Sequence, residues 1–422
     1  MEVSDFEGIL EAFRAFHAEF APAFGRKQWR ERSQQYLQAL LVQSQERCNA
    51  ENLSEVVEAS ARVLQRFLTE ASWDDEAVIK RLQAYLAPRL EHPEAVWAVD
   101  ESGFPKQGKK SVGVKRQYCG ALGKVANCQM GVFVAHVGPR GRALVDKRLF
   151  VPPEWIADPA RLEEAGVPKE ARVQKTKPQL ALALLQEAMT RAHLHADWVT
   201  GDDEYGRSPD FRAGVEALGL LYVLEVPHIQ PVWSLCGTQC SSVGERASAL
   251  SGERASALSV DAWQPLTVAE GEQGPRTYVF ASERVRESCE GKPSKSTWLL
   301  HRKNLDGSEA RYYFSNASPS TPLPTLARVS AARWPIETEF EAGKSHVGMD
   351  EYEVRSWAGW NHHITMCLLA NAFLLTLQQE WGKKDAPDHA SAGLSGGVRA
   401  SAAQALESRG PAVVAAGHPT TQ

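Results

Sequence analysis

Cysteine is scarce in this chain, which has seven copies among 422 residues. Cys236 and Cys240 are the nearest neighbours, and they lack the second cysteine pair that would complete a structural zinc site. A disulfide framework is typical of small secreted domains rather than of chains of this length. We therefore expect reduced thiols, most of them buried, and no structural zinc.

Long apolar segments are also missing. The longest nearly apolar run is residues 364–377, whereas a membrane-spanning helix needs about 20 residues. The first residues, MEVSDFEGILEAF, are acidic where a secretory signal is positively charged, and they contain no apolar segment of the kind such a signal carries. These absences predict a cytoplasmic protein with no membrane partner, associated with the bacterial nucleoid if it binds DNA.

No strong excess of one charge is present, since the net charge is −5 and the isoelectric point is near 6.2. The motif Gly-x-x-x-x-Gly-Lys-Ser/Thr is absent as well, so ATP-driven motor function is not supported. Net charge hides local fields, however. Residues 100–150 contain ten Lys or Arg against three Asp or Glu, and five of the basic residues are close together: Lys106, Lys109, Lys110, Lys115 and Arg116. A solvated surface and a phosphate-binding surface both fit this cluster.

The composition is that of a globular protein, with 43% hydrophobic and 23% charged residues. A chain of this length accommodates two or three domains of about 100–200 residues each. In residues 1–92 apolar side chains recur every three or four positions, as at Phe13, Phe16 and Phe20, which predicts helices. A short basic cluster within residues 26–32 makes DNA binding one possible role for this region.

Residues 93–227 have the order of elements found in α/β domains. Apolar runs predict helices over 180–193 and 211–218, and strands over 95–100, 116–123, 127–137, 143–151, 198–202 and 220–226. Asp100 and Asp202 each end one of these strands. Because open α/β sheets place their sites at the carboxyl ends of strands, the two carboxylates are candidates for one metal cluster.

Residues 228–325 form an irregular stretch in which short β-like runs are separated by Pro, Gly and Ser. It contains a perfect direct repeat, since residues 244–251 and 252–259 both read GERASALS. Two copies of eight residues do not build a solenoid, so we expect a duplication tolerated in a loop, without chemistry. Helical patterns return over 324–343 and 357–380, and the alanine-rich tail, 381–422, is predicted to be low in complexity and either disordered or only locally helical.

One segment of the second helical region carries a distinctive charge pattern. Glu337 and Lys344 are seven residues apart and therefore share a helix face. Arg333 shares that face if the helix is continuous, whereas Pro335 either begins the helix in its first turn or kinks it. Glu341 also lies on this face, so the period alone does not choose between Glu337 and Glu341.

This Arg-x3-Glu-x6-Lys spacing, which follows two strand-ending aspartates, resembles the signature of DDE transposases of bacterial insertion sequences. The flanking segments are similar too: residues 99–106 read VDESGFPK, residues 201–206 read GDDEYG, and residues 355–360 read RSWAGW. The resemblance covers about residues 20–380. The family often has Tyr three residues before the Arg, where this chain has Ser330.

The resemblance implies an α/β fold with an RNase H-like catalytic core. The core would comprise residues 93–227 and 326–380, preceded by the helical region 1–92. A mostly β insertion, residues 228–325, would interrupt it before the last acidic helix, and the tail 381–422 would follow.

The resemblance also implies the site. It selects Asp202 over Asp203 and Glu337 over Glu341, which completes a catalytic and metal-binding triad with Asp100. The triad would hold two Mg²⁺ ions, for which Mn²⁺ can substitute. The implied partners are the terminal inverted repeats and target DNA, bound by a homodimer. The expected DNA-binding side chains are Arg333, Lys344, Lys106, Lys109 and Lys110.

Elementary chemistry agrees with this assignment. Two metal ions about 3.5–4 Å apart activate an attacking oxygen and stabilise a leaving oxygen, so no serine or cysteine nucleophile is required. The sequence therefore predicts a transposase that cleaves DNA at the ends of an insertion sequence and joins them to target DNA. Two alternatives stay open: a catalytically degenerate protein that occupies terminal repeats, and an RNase H-like nuclease without strand transfer.

Overall fold

The computed structural model describes residues 3–43, 47–251, 263–271, 274–381 and 396–407. Within these ranges helices cover a mixed sheet of twelve strands. None of the described helices is long and apolar enough to cross a membrane. All seven cysteines are free thiols; four are buried and three, Cys236, Cys240 and Cys289, are exposed.

The N-terminal part of the chain is helical, as its apolar period predicts. It consists of α1 (Val3–Phe20), α2 (Lys27–Val42), α3 (Ala50–Glu55), α4 (Ala61–Thr69) and α5 (Asp75–Leu90). Phe13 and Phe16 of α1 both pack on Phe373, with ring centroids 5.5 and 5.3 Å apart. Because aromatic rings bury large apolar areas, these contacts join the helices to the rest of the molecule through one core.

Six strands form the first half of the sheet: β1 (Val96–Pro105), β2 (Lys115–Cys119), β3 (Lys124–Gly138), β4 (Gly141–Leu149), β5 (Trp198–Gly201) and β6 (Leu221–Val226). The antiparallel strand β3 lies between β1 and the outer strands β2 and β4. On its other side β1 pairs in parallel with β5, and β5 pairs in parallel with β6. The carboxyl ends of β1, β5 and β6 therefore point in the same direction.

Helices connect β4, β5 and β6. They are α6 (Pro153–Ile156), α7 (Pro159–Glu164), α8 (Lys177–Arg191), α9 (Asp203–Gly206) and α10 (Pro209–Ala217). The start of α8 is fixed by a capping box, in which Thr176 and Gln179 satisfy each other's backbone N–H groups. Asp202 caps α9, because its side chain accepts a hydrogen bond from the backbone N–H of Glu204.

The sheet continues through the segment predicted to be an insertion. Its elements are β7 (Pro231–Trp233), β8 (Cys240–Ser242), α11 (Val243–Ser251), β9 (Gln264–Gly271), β10 (Gly274–Cys289), β11 (Lys292–Lys303) and β12 (Ala310–Ser315). Strand β12 pairs with β6, so these strands extend the same sheet. The first GERASALS copy belongs to α11, where Arg246 forms an ion pair with Glu283. The second copy lies outside the described residues.

Four helices follow the last strand: α12 (Leu323–Ala331), α13 (Trp334–Val347), α14 (Trp357–Trp381) and α15 (Gly396–Glu407). The pattern over 324–343 predicts one helix, but the structure has two. The break falls at Arg333 because Pro335 lies in the first turn of α13, where its missing N–H costs no hydrogen bond. The apolar run over 364–377 is a buried part of α14, as its length predicts.

Part of the tail is helical, which is one of the two predicted alternatives. Residues 396–407 form α15, and Ala402, Ala405 and Leu406 of this helix are buried against α1 and α2. Small apolar residues three and four positions apart give the alanine-rich segment a flat face that packs closely. The division of the chain into four domains stays a prediction, since strands on both sides of residue 228 belong to one sheet.

Candidate active site

Asp100 and Asp202 occupy equivalent positions on neighbouring parallel strands. The pairing of β1 with β5 ends where Val99 lies beside Gly201, and each aspartate is the next residue along the chain. Strand β1 does not end at Asp100 as predicted, since it continues to Pro105 along β3. What ends is its pairing with β5, so Asp100 lies at the carboxyl edge of the parallel part of the sheet.

Glu337 reaches the same edge from α13 through Arg333. The guanidinium donates from Nη1 to Asp100 Oδ2 at 3.3 Å, and its Nη2 forms an ion pair with Glu337 Oε1 at 2.6 Å. These two carboxylates, 237 residues apart in the sequence, are thus bridged by one side chain. Glu341 is exposed to solvent, so the contact with Arg333 separates two acids that helical spacing does not distinguish.

Asp100 and Asp202 carry more negative charge than their surroundings neutralise. Burial raises the pKa of Asp100 well above its usual value, and the neighbouring Asp202 raises it further, against the opposing charge of Arg333. Burial, followed by the charge of Glu101, raises the pKa of Asp202 to about 7. Both carboxylates ionise fully only when more positive charge joins them, which is the electrostatic condition for binding a cation.

The chemistry of these side chains suits a hard divalent cation, because Asp100, Asp202 and Glu337 offer only carboxylate oxygens. In the part of the chain that the structure describes, no three Asp, Glu, His or Cys side chains are gathered tightly enough to hold a metal ion as they stand. The Arg333 guanidinium lies between Asp100 and Glu337. In this structure the guanidinium supplies the positive charge that both carboxylates face.

Lys344 and Lys106 lie near β1 but are only partly exposed. Lys344 donates to the backbone carbonyl of Gly103 at 3.1 Å, so α13 runs alongside β1 with Glu337 and Lys344 both facing it. Lys106 donates to the backbone carbonyls of Asp350 and Tyr352 at 3.1 and 2.7 Å. Burial lowers the pKa of Lys106 to about 7. The structure therefore gives Lys106 an anchoring contact, and its DNA-binding role stays a prediction.

Lys109 and Lys110 differ from Lys106, since both are exposed. Lys110 makes only a loose contact with Glu164, at 3.8 Å between two exposed side chains, which contributes about 0–1 kcal/mol. Ser330, which takes the place of the family's Tyr, is buried and donates to the carbonyl of Ala327. The loop after β1 that carries Lys109 and Lys110 is thus open to a phosphate backbone, whereas Ser330 faces its own helix.

Sequence reasoning missed Glu225, which lies in β6 near its carboxyl end and is nearly buried. Arg311 of β12 donates to Glu225 Oε1 at 2.6 Å, and Arg333 Nε lies 3.9 Å from Glu225 Oε2. The signal was available: like Asp100 and Asp202, Glu225 follows an apolar run in a parallel strand. Glu225 is the counterpart of both aspartates on the third parallel strand.

Glu101 was also missed, although it follows Asp100 directly. Lys177, the first residue of α8, donates to Glu101 Oε1 at 2.6 Å, and the Tyr205 hydroxyl donates to Glu101 Oε2 at 3.0 Å. Tyr205 is fully buried, which excludes stacking on a base in this arrangement. Glu101 therefore ties α8 and α9 to the strand that carries Asp100.

Comparison with known proteins finds a partial similarity to a transposase. The chain is 27% identical over 164 residues to the probable transposase for insertion sequence element IS701 from Microchaete diplosiphon. That match spans 39% of this chain and 40% of the relative. A solved piggyBac transposase synaptic complex with hairpin DNA is 10% identical, with a TM-score of 0.43 over 96% of this chain and 82% of that one. A score this low supports no inference.

The family comparison covers more of the chain. Residues 19–273 match the family described as DDE superfamily endonuclease. This range includes Asp100, Asp202 and Glu225 with the three parallel strands that carry them. The match extends over more than half of the 422 residues, and on that basis the chain belongs to the DDE superfamily endonucleases.

Proposed function

We propose that this protein is a transposase that cleaves DNA strands at the ends of an insertion sequence and transfers them to target DNA. The observation that carries the proposal is the convergence of Asp100 and Glu337 on one guanidinium, beside Asp202. Family membership and the partial similarity to an insertion-sequence transposase support it.

The catalytic core is proposed to be RNase H-like. The order β4–β3–β1–β5–β6 supports this, because antiparallel strands formed first are followed by two strands parallel to β1. Asp100 lies on the first strand, and Asp202 directly follows β5, the first parallel strand after it. Residues 228–325 are proposed to be an insertion that extends this sheet before α13 supplies Glu337.

Asp100, Asp202 and Glu337 are proposed to hold two divalent ions, Mg²⁺ or Mn²⁺. Such ions, when bound, supply the positive charge that activates an attacking oxygen and stabilises a leaving oxygen. Three carboxylates suffice because Mg²⁺ keeps several of its waters. The raised pKa values of Asp100 and Asp202 support this proposal, because a bound cation would allow both carboxylates to ionise together.

The basic side chains on the same face are assigned to DNA. Arg333 presents a planar fork that binds phosphate oxygens in pairs, and Lys344 adds a second positive charge on α13. Lys109 and Lys110 extend the positive surface along the loop after β1. The proposed partners are terminal inverted repeats and target DNA, with a homodimer providing one site for each end of the element.

The test uses a plasmid that carries the inverted repeats flanking the encoding element, with Mg²⁺ and the full chain. We expect the wild type to cleave at the repeats and to join the ends to a second DNA. We expect Asp100→Asn to bind the repeats in a gel shift but not to cleave them, and Glu341→Gln to behave as the wild type.

The outcomes separate the alternatives. Cleavage without joining identifies a nuclease that lacks strand transfer. Binding without cleavage by the wild type identifies a degenerate DNA-binding protein. Cleavage by Asp100→Asn at the wild-type rate rules out the assigned site.

A further inference from the structure

The Arg333 guanidinium faces a different carboxylate at each of its three nitrogens. Nη1 contacts Asp100 and Nη2 contacts Glu337, while Nε lies 3.9 Å from Glu225. Glu225 differs from the other two because it is not one of the proposed metal ligands. It is therefore the partner that Arg333 retains when cations engage Asp100 and Glu337.

Glu225 is itself held from the opposite side. Arg311 donates to it at 2.6 Å, and the guanidinium of Arg311 also donates to Glu309 at 2.7 Å from Nη2 and 3.1 Å from Nε. Arg311 and Glu309 belong to β12 and the turn before it, within the segment proposed to be an insertion. A line of alternating charges thus leads from this segment to the catalytic carboxylates.

Alternating charge of this kind limits the orientations of a long side chain. An arginine side chain is flexible along its methylene chain. Its planar guanidinium nevertheless has few orientations when acceptors contact it on more than one side. The side chains of Glu225 and Arg333 are 10% and 19% exposed, so water screens their attraction only in part. Removing Glu225 would leave Arg333 tied only to groups that must also serve a cation.

We propose that Glu225 is a positioning residue, which fixes Arg333 beside Asp100 and Glu337, and that Arg311 fixes Glu225 in turn. The insertion thereby controls the active site through the contact of Arg311 in β12 with Glu225 in β6. The effect on DNA cleavage rests on the proposed function, whereas the effect on the orientation of Arg333 does not.

The first measurement is independent of catalysis. Phenylglyoxal modifies arginine side chains, and the extent of modification at Arg333 is followed by mass spectrometry of its peptide in the metal-free protein. We expect Arg333 to react several-fold faster in Glu225→Gln and in Arg311→Gln than in the wild type. Arg142, which is similarly exposed and paired with Glu339, is the internal reference and should not change.

The second measurement is DNA cleavage by the same variants. We expect kcat to fall by about 10- to 100-fold in Glu225→Gln, as for other residues that orient a catalytic group, with KM for DNA close to that of the wild type. Glu225→Asp, which keeps the charge, should recover part of the loss. The double variant Glu225→Gln/Arg311→Gln should be no worse than Glu225→Gln, because both changes break one line of contacts.

The matched control is Lys295→Gln in β11 of the same segment, which breaks an ion pair with Glu216 of α10. It should change neither the reactivity of Arg333 nor kcat. Arg311 is 42% exposed, so Arg311→Gln provides a folded variant if Glu225→Gln does not fold.

The two arms distinguish the two proposals. Unchanged reactivity of Arg333 in both variants overturns the positioning role, whatever the cleavage assay shows. Faster reactivity of Arg333 in the variants, together with a wild type that does not cleave DNA, supports the positioning role and rules out the proposed function. Faster reactivity with unchanged kcat overturns the link from Arg333 orientation to cleavage.

Discussion

Two clusters of buried charge lie on this sheet, and they differ in their balance. The strand-end cluster joins four acids to two bases: Asp100, Asp202, Glu225 and Glu337 with Arg333 and Arg311. The helix–sheet cluster joins α5, β4 and α8 through four acids and three bases: Asp75, Glu76, Asp146, Glu187, Lys147, Arg148 and Arg191. Both bury carboxylates, but only the second nearly neutralises them.

The pKa of Asp75, in the helix–sheet cluster, moves in the opposite direction from the pKa values of Asp100 and Asp202. Burial alone raises the pKa of Asp75, but the Lys147 ammonium outweighs this effect and lowers it. At the strand ends burial and like charge act together, so the pKa values of Asp100 and Asp202 are raised. A balanced cluster stabilises the fold as it is, whereas an under-neutralised one has free energy available for binding a cation.

The largest expected effect is the loss of DNA cleavage when a proposed metal ligand of the strand-end cluster is removed. Glu337→Gln should lower the rate of DNA cleavage by about 10⁴-fold or more, because it removes a proposed metal ligand that acts in the transition state. DNA affinity in a gel shift should change little. Glu341→Gln is the matched control on the same helix, and it should cleave at nearly the wild-type rate. The reverse result would transfer the catalytic role to Glu341.

The next largest effect is expected in the free energy of unfolding, where substitutions in the two clusters should differ. Asp146→Ala should lower the free energy of unfolding by about 3–5 kcal/mol, because it removes the fully buried carboxylate that both Arg148 and Arg191 contact. Asp100→Ala should not destabilise to this extent, since it relieves repulsion with Asp202. Urea unfolding measures both, without added metal. Equal losses for the two variants would show that balance of charge does not distinguish the clusters.

Divalent cations should stabilise only one cluster. At a concentration of Ca²⁺ or Mg²⁺ about 100 times its dissociation constant, binding to the folded state adds about 2.7 kcal/mol. The rise in melting temperature should disappear in Asp100→Asn and persist in Asp146→Asn, measured relative to each metal-free variant. A rise that survives Asp100→Asn would locate the cation elsewhere.

The dependence of stability on pH should also differ. The pKa of Asp202 is raised from 3.8 to about 7 in the folded protein. The folded state then binds more protons than the unfolded state between these values, so stability falls as pH rises from about 4 to 7. The pKa of Asp75 is lowered, so its effect on stability has the opposite sign. Its contribution to the stability of the fold is lost as pH falls through the acid range.

Asp202→Asn tests the sign of this effect. Thermal unfolding of the metal-free protein between pH 4 and 8 should show a smaller decline with pH in the variant than in the wild type. Asp75→Asn, the control from the balanced cluster, should leave that decline in place. A variant at position 202 with an unchanged pH profile would contradict the raised pKa.

Much of the strand-end cluster was predictable from sequence. Asp100 and Asp202 follow apolar runs, and strands of that composition in this order place their carboxyl ends together. The pattern did not reveal that Arg333 bridges Asp100 and Glu337, because this contact joins side chains more than 200 residues apart. Glu225 fits the same strand-end pattern but belongs to no recognised motif.

The remaining differences have local physical causes. Lys106 and Lys109 look alike in sequence, but Lys106 packs on Tyr352, 3.3 Å from the ring centroid, which a separate part of the chain supplies. The alanine-rich residues 396–407 have the composition of a disordered tail, and α1 and α2 provide the apolar surface that makes a helix of them. In both cases burial depends on distant partners, which composition does not report.

The smallest expected effect contrasts these two kinds of lysine in one loop. Lys109 and Lys110 are exposed, so changing both to Ala should reduce the slope of log affinity against log salt concentration by up to about 2, at about 0.9 for each phosphate of duplex DNA that the variant no longer neutralises. Binding should weaken equally for a cognate and a scrambled duplex, since phosphate contacts position the protein and base contacts specify the sequence. Lys106→Met should instead lower the melting temperature and leave the salt slope unchanged, because its ammonium is held by the carbonyls of Asp350 and Tyr352. A reduced slope for Lys106→Met would mean that this lysine leaves its backbone partners to meet DNA, and the distinction between anchoring and DNA-binding lysines in this loop would no longer hold.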